Sequence, residues 1–220
     1  SRGLPSNLPG VSAPAPSVLV LFAHPALEKS RVNLELGEAV ADMPGVTFCD
    51  LYELYPAFDI RVEEQQRLLT EHDLIVLQHP FYWYSSPAIL KEYQDLVLQH
   101  GWAYGTGGTA LQGKRMMQVI TTGGSESAYT EEGLNRYTIR ELLRPFERTA
   151  RLCGMDYLPP FVAFGSLRMN GDDIARYGRE YRAILEALRD DRLDPSLAED
   201  QPRINCAPVV RSLLGEAADV

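Results

Sequence analysis

The sequence predicts an α/β fold, a parallel sheet with helices on both faces. Three observations carry this. Short apolar runs alternate with amphipathic helical patterns five times along the chain, the order of βαβ units. The first run, Ser17-Val18-Leu19-Val20-Leu21-Phe22, is continuously β-branched and aliphatic after its serine, the form of a strand buried on both faces. The run Leu74-Ile75-Val76-Leu77 leads into His79-Pro80-Phe81-Tyr82-Trp83-Tyr84-Ser85-Ser86-Pro87, whose four consecutive aromatic side chains cannot all enter one core from a short loop. A loop past the carboxyl end of a central parallel strand is where open α/β sheets bind ligands.

Residues 1–16, rich in proline, serine and glycine, read as a disordered leader outside the fold. After strand one come Ala23-His24-Pro25 and a polar loop to Ser30. Ser30 suits the N-cap of a helix carrying Val32, Leu36, Ala39 and Val40, and Met43-Pro44-Gly45 stops it. Strand two covers 46–51, followed by a loop with Tyr52, Tyr55 and Phe58 and a short helix at 61–69. Strand three covers 73–79. Pro87 fits the first turn of the next helix, with Ile89, Leu90, Tyr93, Leu96 and Val97 on one face and a stop at His100-Gly101. A glycine-rich excursion, 102–113, precedes strand four at 114–121. The polar loop 122–135 opens on a glycine pair. The helical pattern 137–152 contains Pro145, which should kink or split it. Strand five, 157–164, is entered through Leu158-Pro159-Pro160, and a charged amphipathic helix spans 172–189. One domain therefore covers 17–190. Residues 191–220 read as a polar, loosely docked or disordered tail whose Val209, Val210, Leu213 and Leu214 are available to a partner. Five strands over this length suit a flavodoxin-like three-layer sandwich with strand order 2-1-3-4-5.

Composition narrows the function. A net charge of −9 lacks the basic footprint that nucleic-acid or anionic-membrane binding needs. Cys49, Cys153 and Cys206 are odd in number, far apart and without metal spacing, so they read as reduced structural thiols and no metal site is expected. No apolar run reaches the roughly 20 residues of a membrane span. His72, in a charged turn, reads as solvated, and His79 as a residue that ends a strand; His24, bordering the first loop, is the histidine retained for the site.

In the 2-1-3-4-5 order the loops after strands one, three and four meet at one switch point. The first runs into a helix N-terminus, where free N–H groups and the positive dipole end suit a phosphate, with Ser30 and Asn33 as neutral donors. It carries neither a Walker nor a GxGxxG pattern, and by itself Ser30 reads equally as a plain helix cap. The second, with Tyr82 and Trp83, offers a shelf for a planar ring, although aromatic residues also suit a dimer interface. In the third, Thr121-Thr122-Gly123-Gly124, amide donors and close backbone approach would stabilise negative charge on a reduced ring. Together they match a flavin.

The motifs Ala23-His24-Pro25 with Ser30 and Asn33, Pro80-Phe81-Tyr82-Trp83-Tyr84, Lys114, and Thr121-Thr122-Gly123-Gly124 with Tyr129 resemble the NAD(P)H:quinone oxidoreductase, DT-diaphorase-like family. Gly133-Leu134-Asn135-Arg136-Tyr137 with Leu143-Arg144-Pro145-Phe146-Glu147 resembles its narrower branch of Kef-type ancillary proteins of glutathione-gated potassium-efflux systems. The resemblance implies a cytoplasmic homodimer with a flavin contacted by His24, Ser30, Arg31, Val32, Asn33, Pro80, Phe81, Tyr82, Trp83, Thr121, Thr122, Gly123 and Gly124. FMN is the expected form and FAD the alternative. It implies ping-pong chemistry, NAD(P)H giving hydride to flavin N5 before a quinone takes two electrons. Tyr104 resembles a substrate-lining residue supplied by the partner subunit, and Tyr129 a catalytic and substrate-binding tyrosine. Where the quinone reductases place a relay histidine six residues after that tyrosine, this chain has Asn135, which donates a hydrogen bond but takes no proton near neutral pH. The second expectation is a regulatory subunit that keeps the flavin site and sits at the inner membrane face through a transporter. An electron-transfer flavodoxin is disfavoured, because it leaves the 101–113 excursion unexplained.

Overall fold

A computed structural model describes residues 18–215; the expected leader at 1–16 lies outside them. Six parallel strands form one sheet: β1 (Val18–Phe22), β2 (Val46–Asp50), β3 (Leu74–Pro80), β4 (Arg115–Thr121), β5 (Asp156–Tyr157) and β6 (Phe161–Ala163). The order is β2-β1-β3-β4-β5, with β6 also pairing β4. The expected fifth strand is thus two short pieces on one neighbour. Pro159 and Pro160, lying between them, have no N–H to give the ladder.

The helices are α1 (Arg31–Ala41), α2 (Leu51–Leu54), α3 (Val62–Glu71), α4 (Ala88–Val97), α5 (Ile139–Leu142), α6 (Arg144–Leu152), α7 (Gly171–Arg189) and α8 (Ala207–Leu214). Alternate side chains of the strands feed two cores. Leu19, Leu21, Ile75 and Leu77 pack with α3, α4 and α6, while Val18, Val20, Phe22, Leu74 and Val76 pack with α1 and α7. Both faces of β1 are therefore dry, which is why its sequence is continuously apolar. The pattern at 137–152 divides at Leu143, and Pro145 falls in the first turn of α6, where its missing N–H costs nothing.

Two expectations are corrected. His72 is buried (1 % exposed), not solvated: its Nδ1 lies 2.6 Å from the Leu68 carbonyl and its Nε2 2.8 Å from Thr47 Oγ1. The charged neighbours Glu71 and Asp73 suggest solvent, yet the ring turns under the sheet end to satisfy both nitrogens. The segment after α7 takes the docked alternative through 214, and it is its availability to a partner that is corrected. Asn205 accepts from Val162 N–H and donates to its carbonyl, both at 3.0 Å, closing the β6 edge as a strand partner would. Ile204, Cys206 and Val209 then join the α1/α7 core, and Val210 is buried, so these valines serve this chain rather than a partner. All three cysteines are buried and free.

Candidate functional site

The carboxyl ends of β1, β3 and β4 converge on a pocket of about 320 Å³, within the range of small-molecule sites. From the first loop it is lined by His24, Ala26, Lys29, Ser30 and Asn33; from the second by Pro80, Phe81 and Tyr82; from the third by Thr121 and Gly123. The three loops do meet.

Ser30 caps α1, its Oγ accepting from Asn33 N at 3.2 Å and from Asn33 Nδ2 at 2.9 Å. The same amide reaches across to Thr121 Oγ1 at 3.0 Å, tying the α1 N-terminus to the end of β4. By their position at the start of α1, the N–H groups of Arg31 and Val32 have no intrahelical acceptor. Their side chains do not line the pocket: Arg31 donates to the Met169 carbonyl at 3.0 Å, and Val32 belongs to the core. Replacing Ser30 by alanine should cost about 1 kcal/mol of stability through the lost cap, read by urea unfolding; an unchanged midpoint would remove the cap from this account.

His24 Nδ1 accepts from Ala26 N at 3.1 Å, so in the neutral ring Nε2 carries the proton. Burial holds its pKa below the usual histidine value, against the opposing pull of Glu28. The ring therefore stays a neutral donor. It meets the Tyr82 ring edge-on at 6.1 Å.

In the aromatic loop, Phe81 is buried while Trp83 is 92 % exposed. Trp83 and Tyr84 sit at φ 50° and 61° in consecutive left-handed conformations, each of which costs on the order of 1 kcal/mol for a bulky residue. This strained turn swings Trp83 away from the pocket of its own chain. Tyr84 donates to Asn135 Oδ1 at 3.2 Å. Asn135 is thus engaged by Tyr84 rather than by Tyr129.

In the third loop, Thr122 Oγ1 donates to the Gly124 carbonyl at 2.8 Å. A Cβ on Gly124 would stand 3.2 Å from the Tyr129 ring, so the glycine lets Tyr129 lie close over the loop. Among the described residues the N–H groups of Gly123 and Gly124 meet no acceptor. Tyr129 packs between Phe81 and Phe164. Burial raises its pKa, Tyr84 adding to the rise and a Thr122 hydrogen bond opposing it, so the phenol keeps its proton at neutral pH. Thr122, Gly124, Tyr129, Asn135 and Trp83 stand around the pocket rather than on its lining. Tyr104 is elsewhere, half-buried in the glycine-rich excursion with its ring edge-on to His100 at 5.5 Å.

A fourth wall escaped the sequence reading. Ser166 and Leu167, following β6, line the pocket, with Leu167 85 % exposed. Gly165, at φ 73°, turns the chain there, its N–H donating to the Gly124 carbonyl at 2.9 Å while Ser166 N donates to that of Thr122 at 2.8 Å. The glycine after a strand was the available signal. Lys29 was also missed; it supplies a cation at the phosphate-type end.

The donor set fits a flavin mononucleotide: neutral and cationic donors at one end, a hydrophobic wall, and unpaired amides opposite it. Residues 16–185 match a family model described as a flavodoxin-like fold. The "uncharacterized NAD(P)H oxidoreductase YrkL" of Bacillus subtilis is 48 % identical over 169 residues, 77 % of this chain and 97 % of that protein. The glutathione-regulated potassium-efflux system ancillary protein KefG of Erwinia tasmaniensis is 44 % identical over 171 residues, 78 % and 93 % of the two chains. Among solved structures, general stress protein 14 from Treponema denticola, in complex with FMN, superposes with a TM-score of 0.73 at 37 % identity, covering 79 % and 99 %. An NADPH-quinone reductase from P. pentosaceus gives 0.70 at 34 %, covering 76 % and 96 %. A structure described as a thermophilic tryptophan halogenase from S. violaceusniger gives 0.75 at 47 %, covering 76 % and 97 %. One scaffold thus carries several described activities, and function has to be argued from the pocket. The chain belongs to the flavodoxin-like fold family, and its relatives there include NAD(P)H oxidoreductases and KefG ancillary proteins.

Proposed function

We propose that this protein is an FMN-dependent NAD(P)H dehydrogenase of the quinone-reducing type. The observation that carries the reading is the single pocket in which the phosphate-type helix end, the aromatic wall and the amide-bearing glycine loop converge. The FMN-bound relative supports FMN over FAD, and the relatives named as NAD(P)H oxidoreductase and NADPH-quinone reductase support the reaction class.

A bound flavin would supply the chemistry, taking hydride at N5 from NAD(P)H and passing two electrons to a quinone in ping-pong order. The chain's residues do the rest. Ser30 Oγ, the N–H groups of Arg31 and Val32, and Lys29 hold the phosphate end. Asn33 fixes that end to Thr121. Pro80, Phe81 and Tyr82 form one wall and exclude water from it. The Gly123 and Gly124 amides would donate toward the negative charge of a reduced ring held there. Tyr129 keeps its phenolic proton and serves as a hydrogen-bond donor. A homodimer would cover the exposed Trp83, and Tyr104 of the second protomer would complete the substrate side.

The test is a visible spectrum of the purified protein, extraction of the flavin, and steady-state oxidation of NAD(P)H with a benzoquinone. Absorbance near 450 nm with turnover is expected; a colourless protein that FMN and FAD both fail to reconstitute overturns the proposal. The KefG relatives favour a second role, docking on a potassium-efflux transporter. No helix of the described residues is long and apolar enough to cross a membrane, so such an attachment would be peripheral. Co-purification with a transporter's soluble domain that survives loss of flavin would favour this role over turnover.

A further inference from the structure

We propose that His79 is a positioning residue for the pocket wall: it fixes the Pro80 carbonyl, and Gln118 and Tyr157 fix His79 in the one tautomer able to do so. The inference rests on the flavin reading above. The four groups form a chain through the α4/α6 side of the sheet. Tyr157 Oη donates to Gln118 Oε1 at 2.6 Å, Gln118 Nε2 lies 3.0 Å from His79 Nε2, and His79 Nδ1 lies 2.9 Å from the Pro80 carbonyl oxygen. The imidazole is fully buried and stacks on Phe146 at 6.0 Å.

The direction of this chain is forced. A carbonyl oxygen only accepts, so His79 Nδ1 carries the proton. With the ring neutral, Nε2 then only accepts, and the Gln118 amide must turn its NH2 toward it. That leaves Gln118 Oε1 facing Tyr157, whose hydroxyl donates. Turning the Gln118 amide over would place an acceptor at Nε2, move the proton there, and set the Nδ1 lone pair against the Pro80 oxygen. Burial supports the neutral ring by lowering the His79 pKa to about 4.

The carbonyl held in this way belongs to the peptide that makes the wall. The next N–H, of Phe81, donates to the Thr121 carbonyl at 2.9 Å. The Pro80–Phe81 peptide is therefore tied at both ends, to His79 and to β4. Immediately after it come the two left-handed aromatic residues, Trp83 and Tyr84. A strained turn persists only where its surroundings over-determine it, and this doubly tied peptide is its fixed base. Sequence gives no reason for a histidine, a glutamine and a tyrosine on an otherwise apolar face; holding one wall carbonyl uses all three.

Two substitutions separate positioning from simple packing. In His79→Asn the amide NH2 takes the place of Nδ1–H and keeps the Pro80 bond. In His79→Gln the amide reaches the Nε2 position and leaves Pro80 unpaired. FMN affinity is measured by fluorescence titration, with kcat and KM for NAD(P)H and thermal stability alongside. Both variants should lose similar stability, while FMN binding weakens about tenfold in His79→Gln and much less in His79→Asn, the equivalent of one hydrogen bond. Equal FMN affinity in the two variants overturns the proposal and leaves a purely structural network. A second readout needs no flavin: ¹⁵N-histidine NMR of the apoprotein should show His79 protonated at Nδ1, with a mixture of tautomers in Tyr157→Phe. Finding the wild-type proton on Nε2 also overturns it. Failure of the wild type to bind FMN instead removes the functional reading, and the NMR result still reports on the network.

Discussion

Replacing Gly123 by valine leaves a folded protein that no longer retains FMN. Gly123 lies on the pocket lining at the end of β4, and its backbone φ is not positive, so a side chain strains nothing in the main chain. An added Cβ would stand 3.4 Å from Leu167 Cδ1, an ordinary contact. The branched methyls beyond it add bulk to the pocket lining beside the Leu167 wall. They take the space assigned to the ring and hold it off the Gly123 and Gly124 amides. Loss of ring burial and of one or two hydrogen bonds amounts to about 3 kcal/mol, a weakening of roughly 100-fold. The measurement is FMN titration with far-ultraviolet circular dichroism as the check on folding. Gly171→Ala serves as the control, since its Cβ would meet open space outside the site. Wild-type FMN affinity in Gly123→Val would place the ring elsewhere.

Acid should destabilise the protein well above the range where carboxylates titrate, and His79 should be the largest single cause. Its pKa falls from the ordinary 6.5 to about 4 because a fully buried ring resists charge, with the Pro80 hydrogen bond pulling weakly the other way. The sign follows from proton binding: below pH 6.5 the unfolded chain takes up a proton that the folded chain refuses until about pH 4. Stability is therefore whole above pH 6.5 and is lost as pH falls between these values, about 2 kcal/mol by pH 5. His24 and His72, both lowered by burial, act in the same direction. Asp50, raised by burial, acts oppositely in its own range. All three persist in His79→Asn, so the difference in slope isolates His79. Urea unfolding from pH 7 to pH 5 should show the variant less pH-dependent by up to about 1.4 kcal/mol per pH unit at the steepest point. Parallel stability curves for the two proteins would refute the assignment.

These two residues also mark how far the pattern of the chain could be read. Gly123 was legible because a Thr-Thr-Gly-Gly after a buried run is a local feature whose meaning depends only on the strand before it. His79 reads locally as a strand end, since Gln118, which bonds its ring, and Tyr157, which bonds Gln118, lie 39 and 78 positions away along the sequence. His72 misleads for a related reason: its charged neighbours are sequential, while Thr47, which takes the second ring nitrogen beside the local Leu68 carbonyl, is brought to it by β2 from 25 positions away. The tail after α7 looked polar because Asn205 and Arg203 hide the spacing of Ile204, Cys206 and Val209, whose burial depends on an open edge of the sheet.

Element type and order followed from periodicity, because a strand dry on both faces has to be continuously apolar and a helix on a sheet has to repeat near 3.6 residues. The same order dictates a parallel sheet and hence the side on which loops one, three and four gather. What required the folded chain was every relation between residues remote in sequence. These are the Asn33–Thr121 tie, the Leu167 wall, and the buried chain from Tyr157 to Pro80. Each is a side-chain geometry set by packing and by the demand that buried polar groups find partners, and neither demand leaves a period in the sequence.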